Sequence, residues 1–198
     1  MIRIIILLTI ISLLFPASLP AQEKNIPDIP RHRLGFIVGY GDKYELVLKA
    51  NYEYKVVLFQ IQYGYALLKK EKWGIDMVLQ PQYNVTKYKY ESSDQDYRNG
   101  FEYGINLGVL LRMNCCRDLL SFYTIISAGP HYTKGSIKRQ APGFIFSDNL
   151  SLGSNIKLWE DIYLDVRTGF RHLSNANLNQ PNIGIDNIIL SGGFHYNL

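Results

Sequence analysis

The stretch best equipped for chemistry is Arg171-His172-Leu173-Ser174-Asn175-Ala176-Asn177-Leu178-Asn179-Gln180-Pro181-Asn182-Ile183-Gly184-Ile185-Asp186. On an extended strand, residues i and i+2 lie on one side, about 6.5–7 Å apart at Cα, so His172 can lean over Ser174. The imidazole can take the Ser174 hydroxyl proton. A carboxylate on the adjacent strand, Asp186, can orient the imidazole and stabilise its charged form. Backbone N–H groups of the turn after Ser174, with the Asn175 amide, are candidate oxyanion donors. Such a set would perform acyl transfer through a serine ester. The competing account is a Ser, a His and an Asp resting at a membrane interface, held by headgroups or water. Spacing alone leaves both open.

The elements that must position these residues are the two strands flanking the turn cluster Asn179 to Asn182. A hairpin centred on that cluster pairs positions whose numbers sum to about 360. Ser174 then faces Asp186 and Ile162 faces Leu198; this register follows from the midpoint, and a shift by two residues would be compatible. His172 and Ser174 share the even face with Leu164, Val166 and Phe170, and Asp186 shares it with Ile188 and Leu190. All three polar side chains are therefore expected on the apolar face, near one rim. Charged groups on a lipid-facing surface cost ~2–4 kcal/mol for Arg or Lys at the midplane, and less for acids or near the interface. Three of them together require a reason, and an ester bond of a membrane lipid is one.

Period-two alternation runs through the rest of the chain. Phe101, Tyr103, Ile105, Leu107, Val109, Leu111 and Met113 alternate with Glu102, Gly104, Asn106, Gly108 and Arg112, Leu110 being the exception. Similar runs occupy 57–67, 73–83, 162–170 and 188–198. A soluble sandwich would bury the apolar face and show polar residues to water. Here the second face carries Gly and interior-type polar residues such as Gln60, Asn106, Asp165 and Arg167, which suits a narrow lumen. The runs have the length of tilted membrane strands. The fold predicted is all-β: an antiparallel up-and-down transmembrane β-barrel of eight strands. Strands are expected near 73–88, 100–113, 119–132, 144–157, 161–174 and 184–198. Short connectors at 114–118 and 158–160 would be periplasmic, and long ones at 89–99, 133–142 and 175–183 extracellular. Three front candidates, 34–41, 44–54 and 56–68, compete for two places. The outward parity changes near Lys55 and Val56, as a bulge in one strand or a turn between two would make it.

Residues 1–21 read as a secretory signal peptide, with Arg3, an apolar run Ile4 to Phe15, a break at Pro16 to Pro20, and small Ala21 before the cut. The run is shorter than the ~20 residues of a spanning helix. The barrel then occupies 22–198. A net charge of +4, from 21 basic and 17 acidic residues, is too weak for a nucleic-acid protein. The adjacent pair Cys115 and Cys116 excludes a disulfide framework and a CxxC site. His32 and His131 have no partner at ligand spacing, so no metal is expected. Lys134, Lys138 and Arg139 form a basic outer loop, able to hold phosphates or merely solvated. Asp165 and Arg167 share the inner parity and read as part of a structural lumen network.

The string His172-Leu173-Ser174-Asn175-Ala176 and the run Gln180-Pro181-Asn182-Ile183-Gly184-Ile185-Asp186 resemble the catalytic hairpin of the lipid A 3-O-deacylase (PagL-like) family. Phe144-Ile145-Phe146-Ser147-Asp148-Asn149 resembles a further stretch of related outer-membrane proteins. The resemblance is strong over 144–198 and weak before about residue 100. It implies an eight-stranded outer-membrane barrel whose Ser-His-acid triad removes the ester-linked acyl chain at position 3 of lipid A in the outer leaflet. It implies His172 as base, Ser174 as nucleophile, Asp186 as acid, and Asn175 with Asn177 at the oxyanion. The partners implied are lipid A (lipopolysaccharide) and membrane lipids, with a homodimer left open, no nucleic acid, no cofactor and no metal. Two departures stand out. The family acid is usually glutamate, and Asp186 is one methylene shorter. The family often has glycine where Asn177 stands, so Asn177 is expected to take a similar backbone conformation, which asparagine tolerates. A non-catalytic barrel, and a phospholipase or acyltransferase acting on another lipid, remain the alternatives.

Overall fold

The computed structural model describes residues 31–43, 52–116 and 119–198. The segment expected to be a signal peptide and most of the strand candidate at 44–54 lie outside them. Eight antiparallel strands follow one another around a closed barrel: β1 (His32–Lys43), β2 (Glu53–Lys69), β3 (Trp73–Lys89), β4 (Arg98–Cys115), β5 (Leu120–Lys134), β6 (Gly143–Lys157), β7 (Ile162–Ser174) and β8 (Ile185–Asn197). β1 closes the ring by pairing with β8, so no edge is left for lipid to meet. The short connections, 70–72, 116–119 and 158–161, fall at one end. The longer 90–97, 135–142 and 175–184 fall at the other, which is the extracellular one in such barrels.

The expected alternation holds around the ring. Exposed Phe36, Ile61, Leu79, Leu107, Ile126, Leu152, Val166 and Phe194 form an apolar outer wall. The lumen is filled by buried polar side chains. Asp165 is buried there, 2.8 Å from Arg167 and 2.9 Å from His195, with the Tyr123 hydroxyl donating to it at 2.5 Å. His131 is buried in the lumen as well, 3.0 Å from Asn106 Oδ1 and 3.2 Å from Gln82 Nε2. A mid-lumen cavity of about 40 Å³ has room for a water but not for an acyl chain. Lipid chemistry therefore belongs to the outside of the barrel.

The parity change near Lys55 proves to be neither a bulge nor a turn. β2 runs through it with odd residues outward, and its register shift lies at the other end, between Ala66 and Leu68. Tyr54, Val56 and Leu58 are apolar but point inward. The reason is apolar packing inside the lumen: Tyr52, Tyr54, Tyr88, Ile137, Ile145, Leu173 and Ile185 form a buried hydrophobic plug in its extracellular part, and Val56 and Leu58 pack with Ile37 and Ile189 in a second cluster. Ile137 comes from the 135–142 connection, which folds into the mouth. Leu173 and Ile185 come from the two strands that carry the candidate triad. Burying them inward obliges their neighbours His172, Ser174 and Asp186 to face out.

Candidate active site

The register of β7 against β8 sums to 358, two less than expected, and sets His172 directly opposite Asp186. The turn cluster 179–182 is not centred on the connection, whose midpoint lies at the cluster's leading edge. That connection spans 175–184, and its second half is held by the 135–142 loop through a bridge between Gln140 and Asn182. The shift decides how the acid reaches. The shorter aspartate needs neither a closer strand nor a water, because His172 Nδ1 lies 2.6 Å from Asp186 Oδ1. The carboxylate is nearly buried, with 9% of its side chain exposed, while the imidazole in front of it keeps 35%. With Nδ1 engaged by the acid, Nε2 is the nitrogen left for a substrate or nucleophile.

Ser174 follows on the same outward face, beside Phe146 of β6. Among the described residues its hydroxyl has no hydrogen-bond partner, and no bond joins it to His172. The His172–Asp186 pair is thus assembled, and Ser174 shares its face without a direct link. Asp148 of β6 is the residue opposite His172 on the other side, so the imidazole stands between two acids.

The turn after Ser174 is tightly held. Asn175 is fully buried; its N–H donates to Asn182 Oδ1 and its Nδ2 to the Asn179 carbonyl, both at 2.8 Å. The expected Asn175 amide is therefore engaged within the turn rather than free beside Ser174. Ala176 and Asn177 adopt left-handed conformations, with φ of 52° and 64°. Asn177 accordingly takes the backbone geometry asked of it, and among the described residues its N–H has no acceptor. Asn182 Nδ2 donates to Asn177 Oδ1 at 3.1 Å, so one side chain ties both candidate oxyanion residues.

Three supports escaped the sequence. Tyr52 reaches Asp186 from the end of β2: its hydroxyl accepts from the Asp186 N–H and donates to the Asp186 carbonyl, each at 2.9 Å. Among the described residues β1 pairs with β8 as far as Asn187, and the phenol bonds the backbone of the next residue, Asp186. Burial pushes the Tyr52 phenol above its ordinary range, which keeps the proton it donates. The Arg139 guanidinium lies over the Tyr52 ring at 5.1 Å and points one nitrogen at the Ile183 carbonyl. Gln140, fully buried, accepts from the Gly184 N–H at 3.1 Å. No local pattern marks Tyr52; only the ring topology brings residue 52 to residue 186. The basic loop is also re-read, since Lys138 is paired with Glu91 at 2.6 Å.

Two consequences are measurable. Tyr52→Phe keeps the ring and removes both bonds to Asp186, and should lower the deacylation kcat about tenfold with KM little changed. An unchanged kcat would show that the strand holds Asp186 unaided. Gly184 has φ of 88°, and a Cβ there would meet His172 Cε1 at 2.5 Å and Nε2 at 3.2 Å. Gly184→Ala should push the ring off its acid and reduce kcat about 10²-fold, while heat-modifiable gel mobility still reports a folded barrel. Retention of full rate in the folded variant would mean that the ring's position is not critical.

Comparison with known proteins follows the same lines. The chain resembles the crystal structure of the outer membrane enzyme PagL, with a TM-score of 0.61 and 13% identity, over 80% of this chain and 97% of that one. It also resembles Neisserial surface protein A, with a TM-score of 0.53 and 13% identity, over 84% and 97%. At such identities these likenesses establish the eight-stranded outer-membrane barrel and nothing finer. No curated protein matches it in sequence. The model of the lipid A 3-O-deacylase (PagL) family does match, over residues 48–195, which takes in β2 to β7 and all but the last two residues of β8. The chain therefore belongs to the lipid A 3-O-deacylase (PagL) family.

Proposed function

We propose that this outer-membrane deacylase works as a serine hydrolase with Ser174 as nucleophile, His172 as general base and acid, and Asp186 as the acid that orients His172. The observation that carries the proposal is the 2.6 Å contact from His172 Nδ1 to Asp186 Oδ1 on the lipid-facing side of the rim. Asp186 holds the imidazole in the tautomer whose Nε2 accepts a proton. A rotation about the Ser174 side chain brings Oγ toward Nε2, and catalytic contacts of this kind commonly tighten only with substrate in place. Ser174 Oγ attacks the carbonyl of the acyl chain at position 3, and its proton passes to His172. The tetrahedral oxyanion is met by N–H groups of the 175–177 turn, with Asn177 the best placed, since its N–H is unengaged. His172 then protonates the departing sugar oxygen. A water, activated by the same imidazole, releases the fatty acid and restores Ser174.

The triad lies within one chain, so the mechanism calls on no second copy, and it needs no metal. The substrate's acyl chains would lie along the outer wall beside exposed Ile188, Leu190 and Val166. The decisive experiment treats the folded, purified barrel in detergent with defined lipid A and with a long-chain phosphonate reactive toward serine. A lipid A product lighter by one acyl chain, the matching free acid, and peptide mapping of the phosphonate to Ser174 are expected. Unchanged lipid A, or a label carried by another residue, would overturn the assignment.

A further inference from the structure

The side of the barrel facing away from the triad carries a second chemical signal. Lys55 of β2 and Lys87 of β3 are direct cross-strand partners on the outward face, close to the extracellular rim. Like charges placed opposite each other destabilise a sheet, and apolar residues would be cheaper on a wall that meets lipid. Lys89 lies one turn of the pleat further out, and Lys134 of β5 pairs with Phe101 of β4 on the same outer wall. Among the described residues none of these four lysines forms an ion pair. Glu53 is paired with Lys43 at 3.2 Å and Asp94 with Arg98 at 3.8 Å, and Asp42 of β1 attracts Lys55 without forming an ion pair. Aromatic faces hold the ammonium groups instead. Lys55 and Lys89 both sit over the Tyr97 ring, at 5.2 and 5.1 Å, and Lys134 sits over Phe101 at 5.6 Å.

Directly below runs an aromatic belt. Tyr83, Phe101, Tyr103 and Tyr132 follow one another on adjoining strands with centroid separations of 6.0, 6.3 and 5.5 Å. Belts of this kind mark the depth at which lipid headgroups begin. Four unpaired cations above such a belt stand where headgroup phosphates lie. At the same rim on β6 to β8 the outward residues include the acids Asp148 and Asp186 beside His172 and Ser174. β3 and β7 are four strands apart in a ring of eight, so the basic and catalytic faces look in opposite directions.

We propose that Lys55, Lys87, Lys89 and Lys134 form a second, non-catalytic site that holds the headgroup phosphates of a phosphorylated outer-leaflet lipid, the bisphosphorylated form of lipid A. The acyl chains of that lipid lie against the Tyr83–Tyr132 belt, and its phosphates neutralise the opposed Lys55 and Lys87. The site is independent of the triad, because its residues do not touch it.

Native mass spectrometry of the folded barrel in non-ionic detergent tests this. The probes are bisphosphorylated lipid A and the same lipid stripped of phosphate, in the Ser174→Ala background so that turnover does not deplete the probe. Two retained bisphosphorylated molecules are expected, and at most one dephosphorylated molecule. The triple variant Lys55→Gln, Lys87→Gln, Lys134→Gln keeps the long side-chain stems. It should retain the second lipid about tenfold more weakly or worse, while deacylating detergent-dispersed lipid A within about twofold of the parent when Ser174 is present. K87E provides an independent reading: opposing Lys55 with an acid should raise the melting temperature in lipid-free detergent and still weaken lipid retention. Equal retention by the triple variant and the parent overturns the site. So does indifference to the phosphates, or displacement of the lipid by millimolar inorganic phosphate, which would make it a site for the free anion. Loss of deacylation in the folded triple variant would place these lysines in the catalytic machinery and likewise refute the proposal. Failure of Ser174 as nucleophile would leave the lipid counts informative, since binding and turnover are read separately.

Discussion

Ser174→Ala should leave lipid A intact, with kcat reduced by about 10⁴-fold or more and the affinity for the lipid nearly unchanged. The size of the effect follows from what the hydroxyl does: without it no acyl-enzyme forms, and only positioning and oxyanion donors remain. His172→Ala should cost about as much. The double variant should be no worse than either single one, because nucleophile and base act as a unit. Asp186→Ala is expected to fall less far, since the acid only orients and stabilises His172, whose Nδ1 it holds at 2.6 Å. Asp186→Glu is the informative variant here. The strand register places residue 186 directly across from His172. A longer side chain from that position must fold back or push the ring, so activity should fall even though glutamate is the usual family acid. Mass analysis of the lipid product, with each variant checked for folding by heat-modifiable mobility, reads all five. Substantial product from Ser174→Ala would remove the nucleophile, and with it the assignment of the pair to proton transfer.

Much of the barrel was legible because membrane strands repeat with period two over long runs, and each face has its own solvent. The outward sets on β3, β4, β7 and β8 follow directly from alternation. The front was not legible for a physical reason: Tyr54, Val56 and Leu58 are apolar yet inward, because two apolar clusters, the plug around Tyr54 and the group Ile37, Val56, Leu58 and Ile189, lie inside the lumen. Period two tells which residues share a face but not which face meets lipid when both are apolar. The site was legible to the extent that it is local. His172, Ser174 and Asp186 lie within one hairpin, and parity put them on one face. The register was missed by two residues because the 175–184 connection is shaped by Gln140 and Arg139 of another loop. Tyr52 was out of reach for the same reason: its contact with Asp186 spans most of the chain and exists only because the ring closes. Asn175 shows the converse. Its type and place suggest an oxyanion donor, but burial and two bonds inside the turn make it a brace.

Glu102→Ala should be the most destabilising single change in the lumen. Glu102 and Arg171 are both buried, with Arg171 Nη1 at 2.7 Å from Glu102 Oε2. The carboxylate also accepts from the Tyr54 hydroxyl and, at 2.8 Å, from Asn84 Nδ2, while Arg171 Nη2 donates to Asn187 Oδ1 at 2.8 Å. The network thus joins β2, β3, β4, β7 and β8 across the barrel. Removing the acid leaves a buried guanidinium without its counter-charge, and breaking such a pair costs ~3–5 kcal/mol. The midpoint of denaturant unfolding in detergent should fall accordingly. Replacing both partners is a different matter: Glu102→Ala with Arg171→Met leaves no buried charge and should recover a good part of the loss. The two variants also separate stability from catalysis. Arg171 precedes His172, and its inward anchor fixes the strand from which the imidazole projects. Glu102→Ala should therefore lower kcat as well as stability, by loosening that strand, and activity should return with the double variant to the extent that β7 is again held. If the single variant unfolds at the parent's midpoint, the lumen network is not what holds the catalytic strands, and the hydrophobic plug of Tyr54, Leu173 and Ile185 must do so alone.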